Sequence, residues 1–202
     1  MHQEVDRTLR RTELARRLMA HGARTSTVHR FTALSRHQLA TLRKRWLISA
    51  SHRHRGPSPR CVITLLRSPR IRSEAAALAA LWHAHRPYLI ATHSGRSSPL
   101  DRGEDLCEIY DIFLQCVPDA RVTFEQLVML VDSLTTGEEI ALSRCETCHG
   151  AWLVERFAPN QSRCDLCRAP GKQVETAKHK SRASRRGRKQ PEALFRDSGS
   201  SA

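Results

Sequence analysis

Apolar residues recur at helical spacing along most of the chain, and the breaks between these stretches are as informative as the stretches. From Val5 to about Ala20, the positions Val5, Leu9, Ala15, Leu18 and Met19 predict an amphipathic helix that Gly22 ends. A second periodic stretch, about Thr25 to Trp46, breaks at Thr32-Ala33-Leu34-Ser35, so it reads as two short helices meeting at a turn. Residues 51–59, SHRHRGPSP, hold two prolines, one glycine and no apolar residue, which is linker composition. Ser73 to about His85 reads as an Ala-rich helix with Leu78, Leu81 and Trp82 as its buried stripe, and Arg86-Pro87 is expected to stop it. Residues 92–103 read as a loop. An acidic helix follows from about Gly103 to Cys116, with Leu106, Ile109, Tyr110, Phe113 and Leu114 on one face and Pro118 closing it. Thr123-Phe-Glu-Gln126 has the form of a capping box. The helix it opens turns Phe124, Leu127, Val128, Val131 and Leu134 inward and stops near Gly137. Beyond Gly171 no apolar period is sustained, and that tail is expected to be disordered in isolation.

Cysteine spacing adds chemistry to this helical outline. Cys145 and Cys148 form one C-x2-C pair, and Cys164 and Cys167 form another after fifteen residues. Each pair points two sulfurs at one spot, and the loop lets the second pair complete a tetrahedron. One structural Zn2+ per chain is the expected occupant, because a closed four-thiolate shell suits a redox-inert ion and leaves no position for substrate. Trp152, Val154 and Phe157 are expected to pack around the site, and Cys61, Cys107 and Cys116 to be small core hydrophobes. His149 could replace a cysteine as ligand or sit just outside the ligand set, but beside a full set of four thiolates it is read as exposed or hydrogen-bonded to nearby backbone.

The fold expected is therefore mainly α. An N-terminal helical region (1–50) with a helix-turn-helix-like pair leads through an irregular linker (51–72) to a helical core (73–140) with the expected partner-binding surface. A small four-cysteine knuckle or ribbon (141–171) and a basic tail (172–202) complete the chain. No apolar h-region follows the N-terminus and no stretch approaches the ~18 uninterrupted apolar residues of a membrane span. With seven cysteines, an odd number, this points to a cytoplasmic protein with no membrane partner.

The net charge of +14 is segregated. Residues 1–60 hold 14 Lys/Arg against 3 Asp/Glu, residues 61–143 hold 7 against 11, and residues 168–202 hold 10 against 3. Two basic blocks around an acidic middle favour a polyanion partner. The interrupted stretch suits that role. Val28, Leu34, Leu39 and Leu42 supply apolar contacts for a steep helix pair, Ala33 stands in the turn, and Ser35 is placed to cap the second helix. Arg36, His37, Ala40, Thr41, Arg43 and Lys44 are expected outward, so Ser35, Arg36, His37, Arg43 and Lys44 are the candidate DNA contacts. No catalytic constellation is visible, and the chain is read as a non-enzyme.

Three stretches, in order, resemble the FlhC family of flagellar master transcriptional activators. His21-Gly22-Ala23-Arg24 with Val28 and Thr32-Ala33-Leu34-Ser35-Arg36 is similar to that family's GAR…V…TGLSR segment. Arg121-Val-Thr-Phe124 and the helix after it stand where the family has a helix before its cysteines. Arg144-Cys145-Glu-Thr-Cys148-His-Gly150 through Cys164-Asp-Leu-Cys167-Arg-Ala-Pro170 is similar to RCxxCGG…CxLCxPP. Residues 47–72, His149 in a glycine position, and the long basic tail depart from the family pattern. The resemblance implies an activator that works with a FlhD-like protein as a hetero-oligomer, binds promoter DNA and recruits RNA polymerase. The competing reading from the residues is a zinc-ribbon RNA- or ribosome-associated protein.

Overall fold

Leu14, Ala15, Leu18 and Met19 form the buried stripe of the first helix, α1 (His2–Ala20), in a computed structural model that describes residues 2–48, 61–92, 98–158 and 162–168. Gly22, at φ 74°, ends it in the left-handed conformation, and the amides of Gly22 and Ala23 fold back onto the carbonyls of Met19 and Leu18. The earlier apolar positions stay outside this packing, with Val5 59% and Leu9 64% exposed.

The interrupted stretch is two helices, α2 (Thr25–Thr32) and α3 (Arg36–Arg45), joined through Ala33. After residue 60, Val62, Leu65 and Leu66 form a buried 3-10 turn, and α4 (Pro69–Thr92) follows. The described part of the expected linker, 61–72, is thus ordered and contributes to the core. A five-residue apolar run has no period to distinguish it from a buried strand or turn. α4 also runs through Pro87 to Thr92 instead of stopping. A proline removes one i→i−4 hydrogen bond, and the helix continues past it here.

α5 (Pro99–Cys116) begins inside the expected loop 92–103. Ser98 accepts the Asp101 amide while the Asp101 carboxylate accepts the Ser98 amide, and Pro99 occupies the first turn, where its missing N–H costs nothing. Gly103 is buried within this helix. A Cβ there would lie 2.8 Å from Leu14 Cδ2 and 2.9 Å from Phe31 Cβ, so its absence lets α5 approach α1 and α2. α6 (Phe124–Thr136) has the Thr123/Gln126 capping box and the Gly137 stop expected of it.

α4 packs against α5, α6 and a two-stranded antiparallel ribbon, β1 (Ile140–Arg144) and β2 (Ala151–Glu155), in which Leu142 faces Leu153. A short helix, α7 (Asp165–Arg168), follows Cys164 and carries Cys167. Ile140 and Leu153 belong to the same apolar core as α4 to α6. Two buried polar groups tie this core together. Glu74 accepts the amides of Arg121 and Val122 at 2.7 and 3.0 Å, and the Tyr110 hydroxyl donates to the Val122 carbonyl at 2.9 Å. Of the three cysteines outside the pairs, Cys107 is buried as expected, whereas Cys61 and Cys116 are exposed. Among the described residues, no helix is long and apolar enough to cross a membrane.

Candidate metal centre and nucleic-acid interface

β1 runs directly into Cys145, and a tight turn returns the chain to β2. The His149 amide donates to the Cys145 carbonyl at 2.9 Å, and the Cys145 amide to the Gly150 carbonyl at 3.0 Å. In the second pair Cys164 immediately precedes α7 and Cys167 lies within it, and the Cys167 amide donates to the Cys164 carbonyl at 3.1 Å. One thiol atom from each of Cys145, Cys148, Cys164 and Cys167 lies within 4.8 Å of the others. The Cys148 and Cys164 sulfurs are 3.7 Å apart, close to the edge of about 3.8 Å that follows from four sulfurs about 2.3 Å from a tetrahedral ion. These four residues can hold a metal ion.

Electrostatics suit that role. Cys145 is buried, and the amides of Cys148 and Cys164 aimed at its sulfur lower its thiol pKa to about 6. Burial, then the neighbouring thiols of Cys148, Cys164 and Cys145, raise Cys167 to about 12. A metal ion binds thiolates, so filling the site releases the thiol protons.

His149 contributes through its main chain. Its φ is 58°, its carbonyl accepts the Arg144 guanidinium at 3.1 Å, and its ring is not among the clustered donors. The left-handed backbone explains why a glycine would suit this position. Trp152 is buried against the centre, with the Arg168 guanidinium 6.0 Å from its ring centroid. Phe157, expected to pack there, is instead 88% exposed, and Val154 is only half-buried. Strand alternation directs Leu153 into the helical core. The spacing of the cysteines gave no sign of one further contact: Arg72 on α4 donates to Asp165, between the last two ligands, at 2.5 Å.

The helix pair is held by a few specific bonds. Ala33 adopts φ 56° in the turn, and His29 Nδ1 donates to the Leu34 carbonyl across it at 2.7 Å. Ser35 caps α3, accepting the Gln38 amide at 3.2 Å, while the Gln38 side chain accepts the Ser35 amide at 2.8 Å. α2 has no cap from its own chain segment. Glu125 of α6 supplies one, accepting the Arg24 amide at 2.8 Å and the Thr27 hydroxyl at 3.0 Å.

Arg36, His37, Ala40, Thr41 and Lys44 are exposed as expected, together with Arg45. Arg43 corrects the expectation. It turns back, partly buried, and donates to the Thr25 hydroxyl at 3.0 Å and the Ala23 carbonyl at 3.5 Å, so it braces the pair.

The basic block also divides in a way that charge totals do not reveal. Arg10 bonds Asp101 and Glu104 at 2.8 and 2.6 Å, Arg17 bonds Asp111 at 2.8 Å, and Arg30 bonds Asp132 at 2.7 Å. Part of the N-terminal positive charge is therefore neutralised by the acidic middle of the same chain. Arg7, Arg11, Arg36, Lys44 and Arg45 make no ion pair among the described residues.

No protein-family model matches the chain, and no curated protein matches it.

Proposed function

We propose that this chain is a DNA-binding transcriptional activator of flagellar and motility genes. It acts in the cytoplasm, as a hetero-oligomer with a FlhD-like partner that engages RNA polymerase, and holds one structural Zn2+. The observation that carries the DNA reading is the α2–α3 pair. A capped second helix presents Arg36, His37 and Lys44 outward, while its apolar side is anchored by Leu39. Zinc follows from the donor set, since four clustered thiolates suit a closed tetrahedral shell. The flagellar role and the partner rest on the motif resemblance alone.

Footprinting on flagellar promoters, with and without the FlhD-like chain, tests the reading. Protection that requires both chains is expected, and Arg36→Ala should weaken it by about 1–3 kcal/mol if the side chain grips a base. Equal affinity for arbitrary RNA with no promoter protection would instead support the RNA-associated alternative. Metal analysis tests the centre separately. Cys145→Ala or Cys164→Ala should lose about one zinc per chain and loosen the C-terminal region, because binding and local folding are coupled. A variant that retains stoichiometric zinc would overturn the four-ligand assignment.

A further inference from the structure

A cleft of about 450 Å³ opens between α1, the turn joining α2 to α3, and the start of α5. Its charged lining is Asp6, Arg7, Arg10, Arg11, Arg30 and Asp101, and the Thr32–Ala33 turn forms one wall. Arg10 and Arg30 are committed to acids of α5 and α6, and Asp101 is held by Arg10 and the Ser98 cap. Arg7 and Arg11 stand one helical turn apart on α1 and make no ion pair among the described residues. The cleft thus keeps two uncommitted cations against one uncommitted acid, Asp6.

We propose that this cleft seats backbone phosphates of duplex DNA beside the groove entered by α3, with Arg7 and Arg11 as the phosphate-binding side chains. This rests on the DNA reading above and extends it to a second helix. Continuity supports it, because the wall of the cleft is the turn itself and Arg36 lies three residues beyond Ala33. Phosphate contacts flanking a recognition helix fix its register without reading sequence. A duplex is favoured over a single strand because α1, α2 and α3 expose no large aromatic side chain for stacking among the described residues. B-form DNA is favoured over an RNA helix, whose deep, narrow major groove does not admit side chains.

The test is a salt titration of binding to random-sequence duplex DNA by the full chain, alone and with the FlhD-like partner. Each phosphate deprived of its cation lowers the slope of log affinity against log salt by about 0.9, so Arg7→Ala with Arg11→Ala should lower it by nearly 2. The double lysine variant should retain the slope, and Asp6→Lys should steepen it. Arg16→Ala, which removes a cation already paired to Glu13, should leave it unchanged. Circular dichroism of each variant confirms folding. An unchanged slope in the double alanine variant, with wild-type binding intact and weakened by Arg36→Ala, overturns the cleft assignment alone. Absence of duplex binding by the wild type overturns the DNA reading beneath it. Tighter binding to an RNA hairpin, abolished in the same double variant, overturns the choice of duplex DNA.

Discussion

α3 and α5 both begin at a serine that closes a capping box, yet they use their remaining residues in opposite ways. α5 buries eight of its eighteen residues, among them Leu106, Ile109 and Phe113, and its Asp101, Glu104 and Asp111 receive arginines from α1. α3 buries only Leu39 of its ten residues, and Arg36, Lys44 and Arg45 have no acidic partner among the described residues. Charge on α5 is part of the scaffold, whereas on α3 Arg43 alone is turned inward and the charges of Arg36, Lys44 and Arg45 are left available. Net charge alone therefore overstates the surface offered to a polyanion, because ion pairs with the acidic middle absorb part of it.

The contrast can be broken most forcefully at Phe113. Truncating it to Ala should cost about 3–5 kcal/mol in chemical denaturation, through lost burial and the cavity left behind. Arg36→Ala should stay within about 0.5 kcal/mol of wild type in the same measurement. A large loss at Arg36 would mean that α3 is scaffold as well. Gly103→Ala is the next largest effect expected, about 1–3 kcal/mol, since the added methyl must displace Leu14 or Phe31.

pH offers a finer probe of the α5 side. His21 is stacked on Phe124, with ring centroids 5.5 Å apart, and meets Tyr110 edge-on; burial there lowers its pKa below 6.5 despite Asp111 at 3.1 Å. The unfolded chain takes up this proton near pH 6.5, and the native state only at lower pH. Its contribution is therefore fully present above pH 6.5 and declines as pH falls from there toward the folded value. His21→Gln should flatten the stability curve across that interval, and an unchanged curve would remove His21 from this account. The smallest effect belongs to α3's entrance. Ala33→Gly should stabilise the protein by about 0.5 kcal/mol, as relief of the left-handed strain slightly exceeds the entropy lost by glycine.

Where several cues agreed, sequence and structure coincide. The break at Thr32–Ser35, the Thr123/Gln126 box and the paired cysteines each combine a periodic pattern with a residue of fixed chemical role, and all three are found in place. Helix boundaries around α4 and α5 were less legible. Pro87 and the run 92–103 look like breakers when read locally, whereas Ser98, Pro99 and Asp101 form a start signal with Asp in place of the usual Glu or Gln. The role of Arg43 could not be read at all, because its partners Thr25 and Ala23 are brought near only by the steep turn. The same holds for Glu125 capping α2 and for Arg72 reaching Asp165, since contacts between distant segments leave no periodic trace. The basic tail, residues 172–202, and the linker up to residue 60 lie outside the described residues.

The bond from Arg72 to Asp165, together with Leu153 in the helical core, has a consequence for how this protein would respond to its surroundings. An ion held by the cysteines favours the folded ribbon, and the ribbon in turn braces α4. Ion availability should thus set the thermal endurance of helices that never touch the ion, as any ligand restricted to the native state raises the melting temperature with its concentration. A chelator would act on the whole molecule, and a fragment cut before Ile140 would leave bare the face of α4 that the ribbon covers.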